Sequence, residues 1–304
     1  MSLEAAAGDV LRRCGRGELS PEIALVRLLI AYGDVDTLWS ALAAPGRADQ
    51  TAGMKRVRDL LASNAEGSAL VLAMLARERA AGEAAADAVE RCRDLFDRLV
   101  GESAEASVAL YSLGDPGRLD AATREVVELL DQLAVLGPER HVLEIGCGIG
   151  RFEQALARRV AAITGIDIAP RMIEAARQRC AGLPNVTLRV TAGRDLSPFA
   201  PGSFDTVLAI DAMPYVWRAG TALVATHFAE VARVLRAGGD FVILNLSYRG
   251  DLELDRQDAR RLAATAGLRV LRNGTSDLRL WDGATFHLRR HETGDQPTRP
   301  SMRP

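Results

Sequence analysis

The sequence predicts an α/β fold: a seven-stranded, mostly parallel, Rossmann-like sheet whose last strand is antiparallel, with an N-terminal α-helical domain before it. Three observations carry this. From Glu139 onward, short runs rich in valine and isoleucine alternate with helical patterns, which implies parallel strands covered on both faces. The last two apolar runs have no helix between them, so the final strand returns antiparallel. Before Val100 the chain is rich in alanine and leucine and poor in strand signals.

The helical part opens clearly at Ser20-Pro21-Glu22, a hydroxyl cap followed by proline at the first helical position. Ile23, Leu25, Val26, Leu29 and Ile30 then recur at helical spacing. Asp36 to Leu42 reads as a short helix, closed by Pro45-Gly46. Met54, Val57, Leu60 and Leu61 mark another, and Leu70–Ala81 and Ala84–Val100 two more, with Gly67 and Gly82 as breaks. Ala104 to Leu136 is a connector, with a turn at Gly114-Asp115-Pro116-Gly117 and a lid helix from Leu119 to Leu136. The expected strands are His141–Ile145, Ala162–Asp167, Val186–Val190, Phe204–Ile210, Asp240–Leu246, Leu268–Asn273 and Ala284–Arg290. The helices between them are Phe152–Arg159, Pro170–Ala181, Ala222–Leu235 and Arg256–Ala266, and Trp281-Asp282-Gly283 is a turn. The domain division is therefore 1–103 helical, 104–136 connector, 137–291 sheet domain and 292–304 disordered tail.

Composition narrows the classes of function. The formal net charge is -2, which argues against a general nucleic-acid or membrane surface. The four cysteines, Cys14, Cys92, Cys147 and Cys180, are dispersed and read as reduced thiols of a cytoplasmic protein. No apolar run nears the ~20 residues of a membrane helix. His287 and His291 lie four apart but no further ligand joins them, so no metal is expected.

The segment Val142-Leu143-Glu144-Ile145-Gly146-Cys147-Gly148-Ile149-Gly150-Arg151 carries the chemistry. It is a buried strand, a glycine-rich turn and a helix start, placed where such sheets bind ligands. Glycines tolerate positive φ and let a ligand approach the backbone, so a side chain at Gly148 is expected to enter ligand space. A dinucleotide turn needs G-x-G-x-x-G. Here the spacing is G-x-G-x-G, and Arg151 holds the place of a third glycine. Glu144, two residues before the first glycine, suits a cationic ligand better than a diphosphate. Asp167 ends the second strand about twenty residues on, where a carboxylate can accept from ribose hydroxyls; its alternative role is to cap the helix at Pro170.

These residues resemble the class I S-adenosylmethionine-dependent methyltransferase family over about half the chain, His141 to Arg290. Gly193-Arg194-Asp195-Leu196, Phe204-Asp205-Thr206-Val207-Leu208 and Leu235-Arg236-Ala237-Gly238-Gly239 fit the same order. The resemblance implies strand order 3-2-1-4-5-7-6 and S-adenosylmethionine as cofactor. It implies that Glu144, Gly146, Cys147, Gly148 and Gly150 shape the methionine end of the pocket. Asp167 would hold the ribose, with Ile168 and Met172 on the cofactor side. Asp195 and Leu196 would bracket the adenine, and Asp211 would lie beneath the methionine moiety. The commoner glycine-aspartate pair is departed from at Asp195 by one inserted arginine. Tyr111, in the connector, is a candidate for the cofactor carboxylate.

In-line methyl transfer draws much of its rate from positioning, and a base is needed only for a protonated nucleophile. Tyr215, in Asp211-Ala212-Met213-Pro214-Tyr215, is a candidate substrate-facing group, with packing as the alternative. His227 is a candidate base, with a partly packed helix face as the alternative. Tyr248 and Arg249 follow the fifth strand at the same edge. The function implied is methyl transfer to a small molecule, with the helices as pocket lid. Alternatives are a protein or peptide methyltransferase that docks through the helices, and a noncatalytic S-adenosylmethionine-binding protein. A nicotinamide oxidoreductase is disfavoured by the glycine spacing. The expected partners are a small-molecule acceptor and a partner or dimer contact through the N-terminal helices, with no nucleic acid and no membrane.

Overall fold

The computed structural model describes residues 2–44, 50–81 and 87–292, with the side chains of 80 and 81 excepted. The expectations for Pro45-Gly46, Gly82 and the tail beyond Glu292 lie outside them. The first part of the chain is helical: α1 (Leu3–Gly15), α2 (Pro21–Tyr32), α3 (Val35–Ala43), α4 (Thr51–Ser63), α5 (Ala65–Ala81), α6 (Ala88–Leu99) and the short α7 (Ala104–Val108). A 3-10 turn, Leu110–Ser112, and α8 (Pro116–Gln132) lead to the sheet.

The caps follow the sequence chemistry. Ser20 Oγ accepts from Ile23 N at 3.2 Å, with Pro21 opening α2. α1 has no large apolar stripe and escapes sequence reading; its buried residues include only Ala7, Gly8, Leu11 and Cys14. α5 runs straight through Gly67, where a break was expected. A Cβ there would lie 2.5 Å from the Leu113 carbonyl oxygen, so the glycine permits a close chain crossing. No single helix among the described residues is long and apolar enough to cross a membrane.

The sheet has seven strands in the order β3-β2-β1-β4-β5-β7-β6. They are β1 (His141–Ile145), β2 (Ala162–Asp167), β3 (Val186–Val190), β4 (Phe204–Ile210), β5 (Leu235–Leu244), β6 (Leu268–Ser276) and β7 (Ala284–Arg290). β1 pairs in parallel with β2 and β4, while β7 runs antiparallel to both β5 and β6. This is the strand order and direction the resemblance implied. The helices between are α9 (Arg151–Leu156), α10 (Pro170–Arg179), α11 (Met213–Arg218), α12 (Thr221–Val234) and α13 (Leu252–Ala266). β5 starts five residues earlier than expected. Leu235 pairs with Phe204, and a register shift at Phe204/Thr206 absorbs the bend at Gly238. α13 also starts early, because Asp251 caps Leu254 N at 2.9 Å.

The central strands are buried, and one apolar core joins Leu25, Leu28 and Leu38 of the helical part to Val142, Ile163 and Leu208 of the sheet. The helices thus cover the carboxyl ends of β1, β2, β4 and β5 rather than standing apart. His287 and His291 form no metal pair: His287 is buried with Nε2 2.8 Å from Asp240, which also receives Arg140 and Arg289.

Candidate active site

The glycine turn is built from backbone bonds. Gly146 N and Cys147 N both donate to the Ile166 carbonyl, at 2.8 and 3.0 Å, locking the end of β1 to the end of β2. Gly146, Gly148 and Gly150 all have positive φ (73°, 53° and 75°), the region that favours glycine. The space around them differs from the expectation at Gly148. A Cβ there would meet Val108 Cγ1 of α7 at 2.7 Å, so the turn is roofed by the chain before it enters open space.

Asp167 organises this turn. Its Oδ2 accepts from Gly148 N and its Oδ1 from Ala169 N, both at 2.9 Å. Asp167 thus braces the loop before α10 and does not cap the helix itself, whose first turn has no side-chain cap from Ala169, and its carboxylate also lines the chamber. Burial raises its pKa, and the backbone donors of Ala169, Gly148 and Ile168 oppose that rise.

Beyond the turn lies a chamber of about 1240 Å³, larger than the usual several hundred Å³ of a single-ligand pocket. Its wall includes Tyr111, Glu144, Gly146, Cys147, Gly148, Asp167, Ile168, Met172, Asp195, Leu196, Asp211, Tyr215 and His227. Of the residues singled out in the sequence, Gly150 is not on that wall. A Cβ at Gly150 would sit 2.9 Å from Ala176 Cβ, so this glycine serves the packing of α9 on α10. The opposite wall comes from the helical part: Val26 and Ile30 of α2, Met74 and Leu75 of α5, and Leu95, Phe96 and Leu99 of α6. Ion pairs tie these helices across the chamber, Glu78 to Arg218 and Asp87 to Arg194. Asp97 of α6 also caps α10, accepting from Arg171 N at 2.8 Å.

The individual candidates fall as follows. Tyr111 is buried, stacks on Trp281 with centroids 6.3 Å apart, and has a hydroxyl without a hydrogen-bond partner. Burial raises its pKa, and the nearby Arg151 guanidinium opposes that. Asp195 turns its carboxylate to Ser197, accepting from N at 3.0 Å and from Oγ at 2.6 Å. Leu196 is buried beside it. Gly193 presses on Ile168: a Cβ there would lie 2.4 Å from Ile168 Cγ2. His227 is 2% exposed, more buried than its sequence position suggested. Its Nδ1 bonds the Leu223 carbonyl at 2.9 Å, and burial lowers its pKa. Arg249 does not face an acceptor. It pairs with Asp255 and Asp258 and lies over the Trp217 ring at 4.3 Å.

Sequence reasoning missed several residues. Arg151 was read only as a departure from a glycine pattern. It is 7% exposed, sits over Phe152 at 4.4 Å, and lies 3.4 Å from Thr123 Oγ1. Trp281 was read as part of a turn, yet it is buried in the chamber wall. Glu125 of α8 fixes that loop by accepting from Arg279 N and Leu280 N at 2.9 and 2.8 Å. Arg151 together with the unpartnered Tyr111 hydroxyl offers one cation and one donor, a set that fits a carboxylate.

Glu144 is fully enclosed with Glu153 of α9 behind the turn. Burial pushes both carboxyls up, Glu153 to about 7, and the neighbouring Glu153 pushes Glu144 up further. Glu153 was not visible as a partner because only the fold brings α9 under β1. The raised pKa means the native state holds extra proton between the ordinary value of 4.5 and about 7. The contribution to stability is therefore greatest at the acid end of that window and is lost as pH rises through it. Glu153→Gln removes the titration. Urea melts across this range are expected to show the variant gaining stability relative to the wild type as pH rises; a constant difference would refute the raised Glu153 carboxyl.

Comparison with known proteins agrees with this geometry. Residues 143–243 match the family described as Methyltransferase domain. The chain is 35% identical over 156 residues to demethylmenaquinone methyltransferase of Tropheryma whipplei (strain Twist), a match covering 51% of this chain and 59% of that protein. It is 34% identical over 112 residues to ubiquinone biosynthesis O-methyltransferase of Paracidovorax citrulli, covering 36% of this chain and 44% of that one. The chain thus matches about three fifths or less of the length of these relatives. Among solved structures, magnesium protoporphyrin IX methyltransferase from Synechocystis PCC 6803 with bound S-adenosylmethionine superposes with a TM-score of 0.52 at 19% identity, over 68% of this chain and 99% of that one. That likeness concerns the fold.

Proposed function

We propose that this protein, whose residues 141–290 form a class I S-adenosylmethionine-dependent methyltransferase domain, transfers a methyl group to a small molecule held between that domain and the N-terminal helices. The observation that carries this reading is the single chamber running from the glycine turn to α2, α5 and α6. It has room for two ligands, and its far wall combines apolar residues with charged ones such as Arg27 and Glu78. The relatives named for demethylmenaquinone and ubiquinone biosynthesis make a small-molecule acceptor the natural choice. The small-molecule acceptors named for these relatives favour the first reading over protein methylation.

When bound, S-adenosylmethionine supplies a methyl carbon activated by a cationic sulfur. The chain's own residues supply position. Asp167 accepts from the ribose while it pins Gly148. Ile168, Met172 and Leu196 give the adenine an apolar slot, with Asp195 at its edge. Arg151 and the Tyr111 hydroxyl receive the amino-acid carboxylate. Glu144 backs the turn, its carboxyl pushed up by burial and by Glu153 beside it. The apolar faces of α5 and α6 exclude water, so that the reacting atoms are held in line, the main source of rate in such a displacement. The division into a helical domain (1–103), a connector (104–136) and a catalytic domain (137–291), and a cytoplasmic location, belong to the same reading.

The test has two parts. Isothermal calorimetry is expected to register S-adenosylmethionine binding with micromolar affinity, on the order of -8 kcal/mol. A labelled-methyl assay in host extract is expected to mark a low-molecular-weight species. Label confined to protein would replace this reading with the docking one, and absence of binding would end both.

A further inference from the structure

We propose that Asp211 is the catalytic base of this site and that the acceptor it serves is a flat ring bearing an un-ionised hydroxyl, bound in the chamber against the wall formed by Phe96, Tyr215 and Tyr248. This rests on the methyltransferase reading and adds to it the acceptor's class and the residue that takes its proton.

The geometry is specific. Asp211 and Asn245 end the neighbouring strands β4 and β5, and both have positive φ, 59° and 66°. Few non-glycine residues adopt that conformation, and it concentrates at functional sites. Asn245 Nδ2 donates to Asp211 Oδ1 at 2.9 Å, so one strained residue aims the other. The Tyr248 hydroxyl lies within hydrogen-bonding reach of the same carboxylate. Ala212, next in the chain, packs against Gly146, where a Cβ would come within 2.6 Å of it. The carboxylate is thus turned from the glycine turn toward β5 and the acceptor side.

Three rings frame that side. Phe96 of α6 meets Tyr215 edge-on at 4.9 Å and 79°, and Tyr215 meets Tyr248 at 5.8 Å and 89°. Rings set at right angles leave faces and edges for another planar ring. Arg218, held by Glu78, lies over Tyr215 and Tyr248 at 5.3 and 5.6 Å and covers the outer side.

The charges around Asp211 set its behaviour. Burial pushes its carboxyl up to about 6, while Asn245, Tyr248 and Arg151 hold it down and Asp282 pushes it further up. Tyr215 and Tyr111 face it as neutral phenols, each raised by burial. At neutral pH the group is therefore mostly ionised yet basic enough to take a proton. A carboxylate acceptor would be repelled by it and would need no base. A neutral ring hydroxyl needs one and is welcomed.

In the step, Asp211 takes the hydroxyl proton as the acceptor oxygen forms its bond to the methyl carbon, and the pair of the broken carbon–sulfur bond stays on sulfur. Asp211 then returns the proton to solvent by way of Tyr248, whose ring is 45% exposed.

The test uses the full chain and 4-nitrophenol, whose neutral and ionised forms differ in colour. Binding is measured by calorimetry and absorbance below and above the probe's own ionisation midpoint, in wild type and Asp211→Asn. Asparagine accepts the left-handed backbone well, so the fold is retained. Wild type is expected to prefer the neutral form by about tenfold, because phenolate meets a like charge, and Asp211→Asn to lose or reverse that preference. A merely structural Asp211 would weaken both forms together. Failure of wild type to bind the probe, or the same preference in both proteins, overturns the proposal. Wild type that fails to bind S-adenosylmethionine overturns instead the reading beneath it.

Discussion

Replacing Asp167 by alanine is expected to weaken S-adenosylmethionine binding by roughly a hundredfold, about 3 kcal/mol, the scale of one to two charge-assisted hydrogen bonds. Two losses combine. The ribose hydroxyls lose their acceptor, and Gly148 N–H loses the carboxylate oxygen that holds the turn at 2.9 Å. Ala169 N–H, just before α10, loses its acceptor as well, so part of the cost falls on stability. Affinity is therefore compared by calorimetry on folded protein, below the melting temperature of the variant. Asp167→Asn keeps one acceptor oxygen and is expected to fall between. An affinity within twofold of wild type for the alanine variant would remove Asp167 from the cofactor site.

Gly53→Ala is expected to destabilise the protein by about 3 kcal/mol, the upper part of the usual range for overpacking. Gly53 lies where α4 crosses α1, and a Cβ would stand 1.9 Å from the Leu11 carbonyl oxygen and 2.8 Å from its carbon. These are backbone atoms, so no side chain can swing aside; the helices must separate. Intrinsic helix propensity pushes the other way, favouring alanine by about 1 kcal/mol. The sign of the measured change thus decides between local preference and packing. The melting temperature is expected to fall by roughly 5–10 °C. Since α2 packs on α4 and carries Val26 and Ile30 to the chamber wall, acceptor binding suffers with it. A melting temperature equal to or above wild type would sink the argument.

These positions also mark where the sequence was legible and where it was not. β1, β2 and β4 end where their apolar runs end, because a buried parallel strand needs apolar residues and a turn signal after them, while β3 is part-exposed and β7 antiparallel. The glycine turn and Asp167 were readable because their chemistry is local: positive φ and a carboxylate at a strand end. α1 was hidden because its buried face is alanine, glycine, leucine and cysteine, too small to make a periodic stripe. The start of β5 was hidden because a register shift, not a turn, accommodates Gly238. Arg151, Glu153 and Trp281 owe their roles to partners 28, 9 and 170 residues away, Thr123 for Arg151, Glu144 for Glu153 and Tyr111 for Trp281, and no spacing rule announces such meetings. Likewise nothing in the α6 pattern says that Phe96 will stand against Tyr215.

The donor wall of the chamber is written between residues 141 and 290, and the facing wall almost wholly before residue 110. Inheritance can act on these stretches separately. Drift among Met74, Leu75, Leu95 and Leu99 would reshape what is admitted while the grip on the shared methyl source stays fixed. On the proposed reading, libraries randomised in the first hundred residues alone would sample acceptor preference without touching the residues that hold the methyl source.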